Sequence, residues 1–422
     1  MRVSEEFKVR GDFQSRRDLI SGLPEELATE CLVRVPFEFH SSMKSVSRLW
    51  RSLVSDRSFE RERRRAGKDE SLLCLVQPLT SSPSSPVNSS VDGEVSEKKK
   101  EEEDEEEGES HSQQQQQQFQ QPRVIGTPLY GLSVYNATLD TWHRVAIPER
   151  IPLFCECVAL QDAGKVLLIG GWDPETLQPV KDVFVLDFSA AGRGWKRGKP
   201  MSSARSFFAC AAVGPTKVYV AGGHDDQKNA IKSAEVYDVE EDEWSAIPPM
   251  REGRDECHGF SMAAADLGFC VLSGYGTETQ GQFRSDAEVY DPVSNTWSVV
   301  ENVWPFPDLS PRGRTAADAG SAGEFRGCKL WCFVDSQRQC QPRWEVEDDS
   351  TRWKLVMETI RLPVTTMTSV FAGSLSGQAV AMIGGGGEES GTMMMKNGGK
   401  WSHVSTPSGF SSLPFSYASI YV

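Results

Sequence analysis

The sequence predicts a mainly β protein, a six-bladed β-propeller preceded by a small all-helical domain. Three observations predict this fold: a tryptophan that recurs about every 50 residues, glycine pairs that end apolar runs, and an early segment whose apolar residues follow helical spacing. We expect a disordered tail at 1–15, helices at 16–66 and a propeller at 71–422. A disordered acidic and glutamine-rich insert at 79–126 interrupts the propeller.

Composition and charge limit the kinds of protein that this chain can be. The 422 residues carry a formal net charge of −15, and the run 92–109 alone holds 11 acids and three lysines. Nucleic-acid binding needs a basic face, so we expect no nucleic-acid partner. No apolar run reaches the roughly 18–20 residues that span a bilayer, and no targeting signal is visible. We expect no membrane contact and a location in the cytoplasm, the nucleus or both.

The ten cysteines include no C-x-x-C pair. Cys155 and Cys157 are the closest two, and no histidine stands near Cys328, Cys332 and Cys340. Zinc sites need paired spacing, so we expect reduced cysteines that pack as small apolar side chains, with no metal and no cofactor.

The propeller prediction depends on the repeat. Its markers are Trp142, Trp195, Trp244, Trp297, Trp353 and Trp401. Upstream of several markers an apolar run ends in a glycine pair, as at Gly170-Gly171 and Gly222-Gly223. Glycine permits the positive φ that a tight turn needs, and tryptophan fills space between blades. The third glycine pair is replaced by Ser273-Gly274, and the fifth unit has lost the pair.

The order of the strands predicts how the ring closes. After Trp401 one apolar strand remains, at 415–422, and one strand at 72–77 precedes the insert. Two more follow the insert, at 131–137 and 141–147. The last strand of the chain should therefore complete the first blade, which removes an open sheet edge.

With its glycine pair, tyrosine and tryptophan, the repeat resembles the kelch repeat, which implies propeller blades. If the strands of each blade alternate in direction, the links between blades and the loops after the glycine pairs share one face, and the insert leaves from it. We predict that this face binds substrate proteins, with a preference for acidic or hydrogen-bonding segments. Its candidate residues are Arg150, Trp172, Asp173, Arg205, His224, Asp225, Arg254, Asp255, Tyr275, Arg312 and Arg314, with Asp226 and Arg338 beside them.

The helical segment resembles the F-box in its leucine-proline start, its valine-proline corner and its tryptophan-arginine helix. This resemblance implies binding to a Skp-type adaptor, and through it to a cullin and a RING protein. Carried over by position, the adaptor-binding residues are Leu23, Pro24, Leu27, Leu32, Val35, Pro36 and Trp50. Val46, Leu49 and Trp50 fit an ordinary helical core as well as a direct contact. The helical domain should join the propeller on the face opposite the substrate face.

An F-box followed by kelch repeats resembles a class of plant ubiquitin-ligase receptors. The segments 170–174, 205–210, 221–225 and 253–257 are similar to the subgroup called KISS ME DEADLY. That resemblance implies two targets for proteasomal turnover, the type-B cytokinin response regulators and phenylalanine ammonia-lyase. It also implies a receptor subunit that is not itself an enzyme.

Two other functions are compatible with the propeller. A kelch scaffold outside any ligase would have no use for an adaptor-binding domain. A propeller enzyme would need converging ligands or a nucleophile–base pair, and only His224, Asp225 and Asp226 cluster, with His258 a weaker candidate. Residues of solvated turns explain that cluster more simply.

Overall fold

The structure is a computed structural model. It describes residues 18–79, 129–147, 149–188, 194–262, 268–317, 327–334, 341, 343–347, 354–362, 369–384 and 391–422. The predicted tail at 1–15 lies outside these residues, as does the predicted insert apart from Leu79.

Short helices form the N-terminal domain. They are α1 (Glu25–Leu32), α2 (His40–Val46), α3 (Arg48–Val54) and α4 (Arg57–Arg65), with a 3₁₀ turn at Phe37–Phe39. Pro24 precedes α1, where its missing N–H needs no partner, and the Ser47 side chain accepts a hydrogen bond from the Trp50 N–H at the start of α3. No helix in the described part of the chain is long and apolar enough to cross a membrane.

Twenty-four strands in the described residues form six four-stranded sheets, which are the blades of a propeller. Blade 1 contains β1 (Ser71–Pro78), β2 (Tyr130–Asn136), β3 (Thr141–Val145) and β24 (Ser416–Tyr421). Blade 2 contains β4 (Glu156–Leu160), β5 (Lys165–Ile169), β6 (Val183–Asp187) and β7 (Trp195–Arg197). Blade 3 contains β8 (Ala209–Val213), β9 (Lys217–Ala221), β10 (Ala234–Asp238) and β11 (Glu243–Ile247).

The remaining blades follow in chain order. Blade 4 contains β12 (His258–Ser261), β13 (Phe269–Leu272), β14 (Ala287–Asp291) and β15 (Thr296–Val300). Blade 5 contains β16 (Thr315–Ala317), β17 (Gly327–Val334), β18 (Arg343–Glu347) and β19 (Lys354–Arg361). Blade 6 contains β20 (Ser369–Leu375), β21 (Gln378–Gly384), β22 (Gly391–Asn397) and β23 (Lys400–His403). The six-bladed prediction is confirmed.

The ring closes as the sequence predicts. β24 is the inner strand of blade 1 and pairs antiparallel with β1, from Ser71 opposite Tyr421 to Val76 opposite Ser416. The main chain of Glu70 extends this ladder, because its N–H and C=O both bond to Val422, at 2.8 and 3.0 Å. No edge of β1 is therefore left unpaired at the join.

Blade 5 departs from the alternating strand order that we expected. Its sheet order is β16-β17-β19-β18, and β17 runs parallel to β19. β19, which begins directly after Trp353, is therefore third from the axis in this blade, and β18 takes the outer position. Trp353 itself lies outside the described residues.

The second glycine of each pair is required by both its backbone conformation and its surroundings. Gly171, Gly223 and Gly274 have φ of 94°, 81° and 89°. A Cβ on Gly223 would lie 2.4 Å from the Ser206 carbonyl oxygen, which belongs to the link that enters the same blade. The first position is less strict, because Ser273 takes φ of 56° and its hydroxyl donates to the Arg284 carbonyl.

The repeated tryptophans connect neighbouring blades. Each described copy donates its indole N–H to a carbonyl at the end of the preceding blade or of the link that follows it. Examples are Trp195 to Ala146 at 3.0 Å, Trp244 to Lys199 at 2.7 Å and Trp142 across the closure to Ser405 at 2.9 Å. The expected filling of space between blades is thus accompanied by a directed hydrogen bond.

We expect Gly223→Ala to destabilise the propeller more than Gly214→Ala. Both glycines have positive φ, near 80°, but nothing lies within 4 Å of a Cβ on Gly214. Gly214→Ala is the control, and its free energy of unfolding should fall by roughly 1–2 kcal/mol through backbone strain alone. The free energy of unfolding of Gly223→Ala should fall clearly further, because the Ser206 carbonyl must also move. Denaturant unfolding of both variants measures the difference, and equal losses would contradict the close-packing explanation.

Candidate protein-binding surfaces

The helical domain exposes several large apolar side chains to solvent. Leu27, Phe39, Val46 and Leu49 are 53%, 50%, 62% and 40% exposed. We call these four residues the helical patch. Pro24 is also exposed, next to α1. A helical domain of this size rarely leaves so much apolar surface in water unless a partner covers it.

The predicted adaptor-binding residues separate into two groups. Leu32 is only 2% exposed and packs with Val33, Met43, Val54 and Phe59, so the prediction that it faces a partner is wrong. Trp50 is partly buried against that core and donates its indole N–H to the Leu19 carbonyl at 2.6 Å. Leu23, Val35 and Pro36 are half-buried.

Sequence reasoning missed Phe39 and left Val46 and Leu49 undecided. The structure places all three on the surface. Phe39 ends a 3₁₀ turn rather than an α-helix, so helical spacing did not mark it. Its signal in the sequence is the Phe37-Glu38-Phe39 alternation directly after Pro36.

A buried ion pair joins the helical domain to the propeller. Arg63 and Glu70 have side chains that are 2% and 5% exposed, and Arg63 Nη2 donates to Glu70 Oε1 at 2.7 Å. Arg63 also donates to the carbonyls of Val33, Val35 and Lys68. These hydrogen bonds stabilise the charged guanidinium of Arg63 in a site that excludes water.

Glu70 and Phe37 complete the join. Glu70 Oε1 accepts the Phe37 backbone N–H at 2.7 Å, and Glu70 Oε2 accepts from Asn136 Nδ2 at the end of β2. The Phe37 ring lies in the core between blades 1 and 2 and stacks on Phe188 with centroids 5.7 Å apart. The helical domain therefore sits where β1 begins, and β1 ends at the opposite face.

A repeated backbone bridge builds that opposite face, which we call the link face. The residue after each glycine pair bonds to the link that enters its own blade. These bridges join Leu153 to Trp172, Ser206 to His224, and Asp255 to Tyr275. Trp172, His224 and Tyr275 thus occupy equivalent positions around the axis, as the sequence suggested.

Trp172, His224 and Asp255 form a hydrogen-bonded chain across blades 2 to 4. Trp172 Nε1 donates to His224 Nε2 at 3.3 Å, and His224 Nδ1 lies 2.9 Å from Asp255 Oδ1. Because an indole can only donate, Nε2 is the acceptor and the Nδ1–H donates to the carboxylate. His224 and Asp255 are 3% and 4% exposed, so they position this face rather than present charge.

Arg205 and Arg254 do not reach the surface, and their prediction as substrate-face residues is wrong. Both are 0% exposed. Arg205 donates to two blade-3 carbonyls and to Glu235, and Arg254 pairs with Asp286 and Glu288 of blade 4. They tie each link to its own blade. Burial raises the pKa of Asp286, but hydrogen bonds from Arg254 and Arg284 outweigh it and lower that pKa to about 2.

Arg312 points into the central channel. Its Nη1 donates to the Phe208 and Cys257 carbonyls at 2.8 and 3.1 Å, and its Nη2 bonds to Glu156. Its Nε is buried without a partner. The inner strands enclose a cavity of about 430 Å³ lined in part by Arg312, Glu156 and His258. Burial, together with Arg312, lowers the pKa of His258 to about 3.

The other predicted residues of this face have smaller roles. Asp173 and Asp225 cap their own turns by accepting backbone N–H groups, as solvated turn residues do. Arg150 forms an exposed ion pair with Glu175, and Tyr275 donates to Glu256. Arg314 is half-buried and Asp226 is exposed, while Arg338 lies outside the described residues.

Aromatic side chains dominate the channel mouth, where the sequence predicted Trp172 but not Phe154, Phe207 or Phe415. Phe154, Trp172, Phe207 and Phe415 are all half-buried. Phe154 has ring centroids 5.4, 5.3 and 4.8 Å from the other three, in that order. We call these four residues the aromatic shelf. The signal for two of them was available, because Phe154 and Phe207 each stand two residues before an inner strand.

The insert leaves the propeller beside this shelf. Leu79 donates its N–H to the Leu129 carbonyl at 2.7 Å, so both ends of the insert meet at the end of β1. Tyr130 follows directly, and its ring centroid lies 6.3 Å from that of Phe154. Leu79 and Leu129, which flank the predicted insert, thus lie on the face of the blade links, and the helical domain joins at the other end of β1.

Within the described residues, no group of three or more histidine, cysteine or acidic side chains could hold a metal ion. Cys74, Cys155 and Cys157 are buried, and burial raises the pKa of the Cys74 thiol to about 12. These thiols are therefore protonated and poor nucleophiles at neutral pH.

Comparison with known proteins agrees with this architecture. The F-box domain model matches residues 20–62, and the KLHDC2/KLHL20/DRC7 Kelch-repeats domain model matches residues 125–320. F-box/kelch-repeat protein SKIP20 of Arabidopsis thaliana is 77% identical over 416 residues, which cover 96% of this chain and 97% of that protein. F-box/kelch-repeat protein At2g44130 of Arabidopsis thaliana is 61% identical over 436 residues, 100% of each. The chain belongs to the F-box/kelch-repeat family.

We expect Glu70→Ala to loosen the F-box from the propeller. The variant leaves the buried Arg63 without its carboxylate, a change that typically costs about 3–5 kcal/mol. Glu62→Ala is the matched control, because Glu62 forms an exposed pair with Arg65 and should cost at most about 1 kcal/mol. Denaturant unfolding and limited proteolysis measure both variants. Similar behaviour of the two would show that the buried pair does not hold the join.

Proposed function

We propose that this protein is the substrate-recognition subunit of an SCF-type ubiquitin ligase. Its F-box binds a Skp-type adaptor, which connects it to a cullin and a RING protein, and its propeller binds proteins destined for proteasomal degradation. One observation carries the proposal most directly: an F-box with an uncovered apolar patch is fixed to a propeller whose opposite face presents aromatic side chains.

The helical patch supports adaptor binding. Leu27, Phe39, Val46 and Leu49 expose apolar side chains, whereas the core beneath them is complete without a partner. Covering one large apolar side chain contributes about 1.5–3 kcal/mol, so a few such contacts suffice for a stable complex. The candidate adaptor contacts predicted from the sequence are thereby narrowed to Pro24, Leu27 and the α2–α3 surface.

The rigid join supports a receptor role. The F-box packs at the start of β1, and the link face lies at its other end, roughly 25 Å away for an eight-residue strand. Arg63 and Glu70 hold these two ends in one orientation. A bound substrate would then face the conjugating enzyme at a defined distance. The transfer chemistry belongs to that enzyme's thiolate, so this subunit is proposed to be non-catalytic.

The fold favours protein substrates in general, and the particular targets proposed here come from a family resemblance. The resemblance to the KISS ME DEADLY subgroup favours type-B cytokinin response regulators and phenylalanine ammonia-lyase as substrates. The receptor would then restrain cytokinin signalling and phenylpropanoid synthesis in the cytoplasm, the nucleus or both.

We expect Leu27→Asp to abolish adaptor binding. The new carboxylate would have to be buried in the apolar contact, and a loss of at least about 100-fold in affinity should follow. Leu177→Asp is the matched control, because Leu177 is 49% exposed in a loop of the link face. Co-purification of the full chain with a Skp-type adaptor measures both. Retained binding by Leu27→Asp, or no binding by the unaltered chain, would leave a kelch scaffold instead.

We expect the reconstituted ligase to ubiquitinate phenylalanine ammonia-lyase and a type-B response regulator. Product formation should require the intact chain and should disappear with Leu27→Asp, since that variant disconnects the receptor from the adaptor. If the adaptor binds normally but neither protein is modified, the proposed targets are wrong and the receptor assignment still holds.

A further inference from the structure

Two phenylalanines of the aromatic shelf occupy backbone conformations that favour glycine. Phe154 and Phe207 have φ of 58° and 56°. Both stand two residues before an inner strand, and the same position before β12 and β16 has Glu256 and Gly313, with φ of 49° and 66°. Large side chains in the left-handed region are strained and persist where the surroundings or a function require them. The position thus accepts glycine or a polar residue in other blades, and blades 2 and 3 carry a phenylalanine there.

The four rings form one contiguous surface at the channel mouth. The Phe207 centroid lies 6.0 Å from that of Trp172 and 5.5 Å from that of Phe415, and Phe154 contacts all three. All four side chains stay half-exposed. Rigid aromatic rings that contribute large contact areas are the usual centre of a protein interface.

Positive charge flanks the shelf on two sides. Lys228 Nζ lies 3.6 Å from the centroid of the Trp172 ring, and the Arg312 guanidinium lies 5.6 and 5.3 Å from the Phe207 and Phe415 centroids. Two cations already use the faces of these rings, so a cationic ligand is disfavoured. Lys228 is exposed, and its Nζ lies 3.2 Å from His224 Nε2, but no ion pair with a carboxylate is found for it among the described residues. It can accept an anionic partner.

The single ammonium of Lys228 favours a carboxylate partner over a phosphate. Phosphate recognition in proteins typically uses clusters of arginines with free guanidinium forks. On this face Arg205 and Arg254 are fully buried, and Arg312 already bonds Glu156 and two carbonyls. Among the described residues that contact the shelf, Lys228 supplies one ammonium without a carboxylate partner, which matches a single carboxylate.

We propose that the aromatic shelf binds an aromatic or leucine side chain of an extended substrate segment, and that an Asp or Glu near that side chain pairs with Lys228. This inference rests on the proposed function, because it assigns the shelf to substrate capture. It names the chemistry of the recognised segment: an apolar anchor beside an acid.

A defined peptide array tests the proposal with the full chain co-purified with a Skp-type adaptor. Each 15-residue peptide carries Trp, Phe, Leu or Ala at its centre. Glu, Gln, Lys or phosphoserine stands one to five residues to either side. We expect retention of peptides that pair Trp, Phe or Leu with Glu, at least about tenfold above the Ala or Lys versions and above the phosphoserine versions.

Two variants separate the anchor from the charge. Phe207→Gly removes one ring while accepting the positive φ, so preference for the apolar anchor should fall about tenfold. Lys228→Glu should reverse the charge preference from Glu to Lys while the anchor preference remains. Lys217→Glu is the matched control, because Lys217 is exposed on the same blade at the start of β9, away from the shelf. It should behave like the unaltered chain.

Each result has a defined meaning. Thermal unfolding and adaptor binding of every variant confirm that it is folded, and adaptor binding reports on the ligase assignment independently of the array. Retention of no peptide, or an anchor and charge preference unchanged in both variants, overturns the proposal. A preference for phosphoserine over Glu also overturns it, because recognition would then depend on phosphate.

Discussion

Glu70 is the residue on which both parts of this molecule depend. Its main chain pairs with Val422 and extends the ladder that closes the propeller. Its carboxylate accepts hydrogen bonds from Phe37, Arg63 and Asn136, and these bonds fix the F-box. Ring closure and domain orientation therefore meet at one side chain. A buried carboxylate needs several donors to offset the loss of water, and here the donors come from both domains.

Most of the arginines predicted on the link face bond to groups of the propeller itself. Arg205 and Arg254 satisfy carbonyls and carboxylates within their own blades, and Arg312 does the same across the channel. What remains for a partner is aromatic surface and the exposed Lys228. Recognition by rings costs little side-chain entropy, because each ring is already held by its neighbours. The frame thus leaves a binding surface of fixed shape.

The sequence predicts the architecture well because the repeat encodes local physics. The tryptophan hydrogen bonds, the glycine turns and the closing strand all follow from short motifs that recur in register. Blade 5 was predicted wrongly in its strand order, since it has lost the motif that would fix the register. The site was harder to predict. Spacing places Arg205 and Arg254 on the correct loops, but only the three-dimensional packing shows that Glu235 and Glu288 bury them. Phe154 and Phe207 were missed because the identity of a residue does not reveal that its backbone takes positive φ and so directs the ring toward the channel mouth.

The closing strand has a consequence for synthesis of the protein on the ribosome. β1 and β24 are partners in one sheet, yet roughly 350 residues separate Ser71 from Tyr421 along the chain. At about 5–20 residues per second, β1 waits roughly 20–70 s for its inner neighbour. During that time an apolar strand edge is open while the F-box has already emerged. An open apolar edge of this kind favours aggregation until β24 is made, and a chain that terminates early carries an F-box without a closed ring.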